Sequence, residues 1–335
     1  MFMNLYCYTM FFPMILISSF MILLSNSYFS MWMIMEFNLI SLIMLLIFEK
    51  KFKVINLFKY FLIQSLCSYI FLFSSMIMNM NNFMVFYLIM NFSIYNKMGM
   101  PPFLNWYMNM LNNMNWLMIF LMSCIQKFIP LMILNFLFIQ KNKLLFFMIL
   151  FILILSILYS IKSINSLNLK IIMIYSSIIQ SSWMILTTFI NEKFLMIYFL
   201  IYSINSFSIM MILHLMNMNF MNFMSKYIFK NKYLMNLLMI NFFSMAGIPP
   251  FFGFFNKWML IQFSSKEFMY WFLMILIILS LFSFMFYIRI MFYSLMMFNF
   301  QKKNNFKKIN YYNNWSNFII MNYFLLMNLL MFEMI

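Results

Sequence analysis

The sequence contains no aspartate, one alanine (Ala246), one arginine (Arg289) and one histidine (His214), and only three of its 335 residues are glycine. Charged residues make up 8% of the chain, where a soluble surface of this size takes roughly 25%. That shortage excludes a soluble globular domain. The three cysteines, Cys7, Cys67 and Cys124, lie far apart in apolar segments with no metal-ligand spacing. They read as small buried residues rather than a disulfide framework or metal site. A single histidine excludes a multi-histidine centre. There is no G-x-G-x-x-G, no phosphate loop, no haem-ligating pair and no cysteine cluster, so nothing supports redox chemistry within the chain. The N-terminus, MFMNLYCYTM, lacks a basic n-region, an A-x-A site and an Arg/Ser-rich transit pattern, which predicts insertion without a cleaved leader.

Hydrophobic residues fill 67% of the chain, among them 49 Phe and 46 Met. The abundant residues have AT-rich codons and the scarce ones GC-rich codons, as in an organellar genome. Stripes of Met and Phe therefore read as soft helix packing, and the scarce residues carry the information. Apolar runs of 18 or more recur throughout. The expected fold is an all-α polytopic membrane protein, one transmembrane domain over 1–335, with about eleven helices. They fall near 3–25, 27–48, 54–79, 83–106, 115–140, 144–163, 166–190, 194–215, 234–263, 269–296 and 316–335.

Loops on the side of the N-terminus hold twelve lysines (50, 51, 53, 162, 170, 226, 230, 232, 302, 303, 307 and 308), against four on the other side (141, 143, 193 and 266). The positive-inside rule then puts the N-terminus in the matrix and the C-terminus on the intermembrane side. The net charge of +16 is spread over short loops. It fits anionic headgroups better than nucleic acid.

The stretches KMGMPPFLNW (97–106) and AGIPPFFGFFNKW (246–258) share G-x-P-P-F and hold all three glycines and four of the six prolines. They fall in the fourth members of two five-helix blocks, about 1–140 and 144–296. An odd number of spans per block predicts inverted-topology repeats with discontinuous helices at about 83–106 and 234–263. A double proline removes two N–H donors and breaks the helix. In lipid such a break survives only where protein or an internal water path satisfies it.

Four ionisable residues lie deep in spans: Glu36, Lys97 beside the first break, Lys127, and Lys257 after the second. Lys127 is a dozen residues from either span end, roughly 18 Å, too far to snorkel fully to water. Facing lipid, each would cost several kcal/mol, so each is a functional candidate. A static Glu36–Lys97 pair or a structural ion pair at Lys127 is the competing reading. Lys59, Lys170, Arg289 and His214 sit near span ends, where interfacial anchoring suffices, and Glu49, Glu192, Glu267 and Glu333 read as solvated. A lysine in a low-dielectric interior can lose and regain a proton. Closing a Glu–Lys pair at about 4 Å is worth about 4 kcal/mol at an effective dielectric of 20. Moving a proton against about 150–200 mV costs about 3.5–4.6 kcal/mol. The magnitudes match, so opening and closing one pair could drive a proton step.

Glu36, Lys97, QKFIPLMIL, LNLKIIMIYSSIIQSSWM and AGIPPFFGFFNKW together resemble the mitochondrial NADH–ubiquinone oxidoreductase chain 2 family, antiporter-like membrane subunits of respiratory complex I. The resemblance runs from about residue 27 to 263, and the span count matches the shortened animal form. It implies that Glu36 and Lys97 form a coupling pair, that Lys127 is the central relay and Lys257 the relay of the second broken helix, and that Lys170 is a basic position heading its helix. It further implies proton translocation across the inner mitochondrial membrane, coupled to NADH oxidation and ubiquinone reduction. FMN, iron–sulfur clusters and ubiquinone would be carried by other subunits and no cofactor by this one. The implied neighbours are chain 4, chain 4L, accessory subunits and lipids including cardiolipin. Leu104 and Asn105 stand where the family often has a His–aromatic pair, Gln180 where a His is common, and Asn256 where a Pro often precedes K-W. A stand-alone cation/proton antiporter and a non-pumping structural subunit remain the alternatives.

Overall fold

A computed structural model of the chain describes residues 2–49, 54–80, 84–138, 143–221, 224, 232–249, 251–266 and 270–301. Among these residues every regular element is helical, apart from an isolated antiparallel bridge between Asn168 and Phe220. The helices are α1 (Phe2–Met21), α2 (Tyr28–Ile47), α3 (Val54–Met80), α4 (Met84–Met98), α5 (Leu104–Leu111), α6 (Trp116–Phe138), α7 (Lys143–Ile164), α8 (Leu169–Ile190), α9 (Glu192–Leu215), α10 (Lys232–Ala246), α11 (Phe252–Lys266) and α12 (Tyr270–Gln301). They occupy the first ten expected segments. The eleventh, 316–335, lies outside the described residues.

Among the described residues six helices are long and apolar enough to cross a membrane: α2, α3, α6, α8, α9 and α12. Large apolar side chains on them face outward, with Phe73 63%, Leu200 58%, Met285 60% and Trp271 81% exposed. Such a surface fits hydrocarbon rather than water. Polar residues point inward instead. Buried serine hydroxyls bond back to carbonyls of their own helix, as Ser176 does to Met173 (2.8 Å) and Ser181 to Ile178 (2.8 Å), so these two bring no unmet donor into the interior.

Local caps set the helix starts. Ser27 forms a capping box with Ser30 ahead of α2. Asn168 accepts from the backbone N–H of Lys170 (3.1 Å) at the head of α8, and Asn191 from that of Lys193 (3.2 Å) at the head of α9. These are the short polar side chains that satisfy orphan N–H groups.

The chain divides into two compact units, one up to Leu155 and one from Ser156 onward. In the first, α1 packs on α2, α2 on α3, α3 on α4, and α4 on α6. In the second, α8 contacts α9 and α12, and α10 contacts α9, α11 and α12. Every residue of α8 from Ile172 to Phe189 is buried, which makes this helix the core of its unit.

Among the described residues each unit contains one helix broken at a glycine, and the two helix ends before the breaks are built alike. Gly99 follows α4 with φ +67°, and Gly247 follows α10 with φ +79°. An L-residue in that conformation costs about 1–2 kcal/mol. Met100 N donates to Tyr95 O (3.0 Å) and Ile248 N to Phe243 O (3.4 Å), the six-to-one bond of a glycine-capped helix end. In the sequence two prolines come next in each case, at 101–102 and 249–250, and proline is a residue that a continuing helix does not accommodate. In the second break Gly253 also allows close approach, since a Cβ there would lie 1.6 Å from the carbonyl oxygen of Ser244.

Candidate functional site

In the first unit, three helices converge on the break after α4. Lys97 lies in the last turn of α4. Its ammonium donates to Met35 Sδ at 3.3 Å, and its carbonyl oxygen accepts from Gln64 Nε2 at 3.2 Å. Gln64 thereby satisfies one of the carbonyls that a helix end leaves without a partner. One turn further along α3, Ser68 donates to the carboxylate of Glu36. Glu36 is within electrostatic reach of Lys97, but the two form no ion pair at 4.0 Å or less. The expected pair is thus present in an open arrangement, each member held by a neutral partner.

Lys127 is 3% exposed, and its ammonium lies 5.1 Å from the centre of the Tyr107 ring, within cation–π range. The Tyr107 ring in turn packs on Gly99, where a Cβ would fall 2.6 Å from the ring. Its hydroxyl makes a long contact of 3.5 Å to Met122 O. That carbonyl belongs to a π-helical turn, Leu121–Ile125, within α6. Downstream, Pro130 has no N–H to offer the carbonyl of Gln126. Lys127 therefore sits where its helix is interrupted on both sides.

Lys97 and Lys127 line one cavity of about 30 Å³, together with Asn38, Tyr60, Gln64, Trp106, Tyr107 and Gln126. A water needs about 10–15 Å³ by this measure, so the space suits about two. The indole Nε1 of Trp106 is buried without a protein partner, and a cavity water is its natural acceptor. The structure thus joins two of the expected residues through a polar space and places Glu36 beside the first.

The other two expected residues lie in the second unit. Lys257, 7% exposed, follows the second break on α11. Its ammonium donates to Ala246 O at 2.8 Å, and a Cβ on Gly247 would stand 2.8 Å from it. Gln180, from the middle of α8, donates to Met245 O (3.3 Å) and accepts from the Tyr198 hydroxyl (2.6 Å). Two carbonyls at the broken end of α10 are therefore satisfied by Lys257 and Gln180. Lys170 is half-buried at the head of α8, ten residues before Gln180 or about 15 Å along the helix.

Glu49 departs from expectation. Expected to be solvated, it is half-buried, accepting from the Tyr8 hydroxyl and from Asn115 Nδ2 (2.6 Å). It thus ties α1 and the start of α6 to the end of α2. Arg289 donates to the carbonyls of Ser163 and Ser166, an anchoring role at a span end. Cys67 and Cys124 are buried, as expected of small residues in apolar segments. Sequence reasoning missed Gln64, Ser68, Asn38, Gln126 and Tyr107. Their only signal was an uncharged polar or phenolic group within an apolar span or beside a break.

The fold and its broken helices define an antiporter-like membrane protein. The family model of the NADH:quinone oxidoreductase/Mrp antiporter transmembrane region matches residues 25–283, and the chain belongs to this family. Its sequence is 31% identical over 281 residues to NADH-ubiquinone oxidoreductase chain 2 of Anopheles gambiae, covering 79% of each. It is 33% identical over 276 residues to the same protein of Rhipicephalus sanguineus, covering 82% of this chain and 86% of the relative. A chain in the structure of respiratory complex I from Thermus thermophilus with bound aureothin superposes with a TM-score of 0.76 at 16% identity, covering 91% of this chain and 73% of that one.

Proposed function

We propose that this chain is the antiporter-like chain 2 of a mitochondrial NADH–ubiquinone oxidoreductase and takes part in proton translocation coupled to electron transfer. The observation that carries the mechanism is the cavity shared by Lys97 and Lys127, with Glu36 beside it. When Glu36 closes on Lys97, the pair holds a proton there. When it opens, as in the arrangement described here, Lys97 can pass its proton through cavity water toward Lys127. The breaks supply backbone that a continuous helix would seal. Lys257 is the relay of the second unit and Lys170 an auxiliary basic position. The chain itself does no redox chemistry. FMN, iron–sulfur clusters and ubiquinone belong to other subunits, and chain 4, chain 4L, accessory subunits and cardiolipin are its neighbours. Eleven spans in two inverted repeats, with the N-terminus in the matrix, complete the reading.

The test is Lys127→Met in the assembled enzyme, with protons translocated per electron as the readout. A lower yield with the complex intact supports the relay. An unchanged yield would leave the chain a structural subunit, and cation/proton exchange by the isolated chain would make it a stand-alone antiporter.

A further inference from the structure

Between the helices of Glu36 and Lys127 stands a pair of neutral side chains that the relay does not use. Asn38 Nδ2 donates to Gln126 Oε1 at 2.9 Å, and Gln126 Nε2 donates back to Asn38 Oδ1 at 3.1 Å. Asn38 lies two residues beyond Glu36 on α2, and Gln126 immediately precedes Lys127 on α6. Both line the cavity that holds Lys97 and Lys127. Carboxamides do not titrate in the working range, so the pair cannot be a proton station. Each amide keeps a second N–H and a second lone pair for cavity water.

What two reciprocal bonds do is fix both the distance and the rotation of one helix against another. In a low-dielectric interior such bonds are strong, and removing one partner leaves the other with costly unmet groups. The need for an anchor is greatest here. The π turn at Leu121–Ile125 and Pro130 both interrupt the backbone ladder around Gln126, so the helix alone holds Lys127 in register only weakly.

We propose that Asn38 and Gln126 form a positioning clasp. It holds Lys127 at the cavity and ties it to the helix that carries Glu36. A shift of α2 on opening or closing of the Glu36–Lys97 pair then moves Lys127 as well, so the coupling is mechanical as well as through water. The clasp rests on the relay reading above.

The experiment compares Asn38→Leu, Gln126→Leu and the exchange variant Asn38→Gln/Gln126→Asn in the assembled complex, with Lys127→Met alongside. Assembly and proton yield per electron are read for each. The expected result is a yield in both single variants that falls most of the way to that of Lys127→Met, and an exchange variant that recovers most of the loss. A merely structural contribution would lower assembly and leave the yield of the assembled enzyme unchanged. Normal yields in the single variants beside a defective Lys127→Met overturn the clasp and leave the relay standing. A normal Lys127→Met overturns the relay, and the clasp with it. If the single variants do not assemble, the exchange variant decides. Near-normal yield supports the clasp, and a low yield or failed assembly overturns it, since a reciprocal amide pair tolerates exchange.

Discussion

The ammonium of Lys257 lies 2.8 Å from the carbonyl oxygen of Ala246 across the second helix break. The residue expected to relay a proton is also the cap of the helix that the break leaves open. A charged donor on a buried carbonyl contributes about 1.5–3 kcal/mol, and a cation at a helix C-terminus gains further from the dipole. Holding the proton and capping the break are therefore one state. In the proposed relay, loss of the proton would leave a neutral amine that binds Ala246 less strongly, and the break should loosen.

Lys257→Met should consequently impair two things together: thermal stability of the complex and proton yield. Lys257→Gln separates them. Its amide keeps a neutral donor for the break, worth about 0.5–1.5 kcal/mol, and so should retain more of the assembly while the yield stays low. Native-gel assembly and proton yield per electron check both variants. A Gln variant that pumps normally would leave Lys257 as a cap only.

Gly253 should be the least replaceable glycine. A Cβ there would stand 1.6 Å from the backbone oxygen of Ser244, and backbone cannot swing aside as a side chain can. Gly253→Ala should force α10 and α11 apart and abolish assembly. At Gly247 the obstacle is the tip of Lys257 plus an unfavourable φ of +79°, with a conformational cost of about 1–2 kcal/mol. Gly247→Ala should assemble with reduced thermal stability and a displaced Lys257. Complex abundance after each substitution distinguishes the two.

The breaks could be read from the sequence because glycine and double proline act through local backbone geometry, and because they occur twice in a chain with few of either. The burial of Lys127 could be read because its depth in the span is too great for the side chain to snorkel fully to the membrane surface. The open state of the Glu36–Lys97 pair could not. It depends on Ser68 and Met35, whose proximity comes from how α2, α3 and α4 pack, and Ser and Met are common throughout the chain. Gln180 was visible only as a departure at a position often occupied by histidine. The structure gives it a donor role toward Met245 O that a histidine nitrogen could also fill. Glu49 read as a loop carboxylate because its partners, Tyr8 and Asn115, are distant in sequence.

Tyr107 should matter to Lys127 through its ring more than through its hydroxyl. The ammonium lies 5.1 Å from the ring centre, and a desolvated cation–π contact is worth about 2 kcal/mol. The hydroxyl contact at 3.5 Å is at the limit of a hydrogen bond. Tyr107→Phe should keep near-normal proton yield. Tyr107→Leu removes the π face and should lower the yield by destabilising the charged form of Lys127. Equal effects of the two variants would count against the ring.

Ser68 should set the balance of the proposed Glu36–Lys97 pair. Its hydroxyl donates to the Glu36 carboxylate while Lys97 is engaged by Met35, so the pair stays open. Closing it to about 4 Å is worth about 4 kcal/mol at an effective dielectric of 20. A hydrogen bond to a charged group opposes that with about 1.5–3 kcal/mol. The two terms are comparable, as a switch requires, since an element biased far to one side cannot be moved by a modest input. Ser68→Ala removes the opposing bond and should shift the pair toward closure by roughly 10- to 100-fold. Lys97 would then be held by Glu36 and released slowly toward Lys127. The expected phenotype is slowed turnover with electron transfer and pumping still coupled, because the pair is trapped rather than destroyed. Glu36→Gln, which cannot hold the lysine charge, should instead lower the proton yield per electron. Measuring turnover and yield together in both variants distinguishes a trapped switch from a lost one. A Ser68→Ala enzyme with unchanged turnover would show that the hydroxyl does not set the balance.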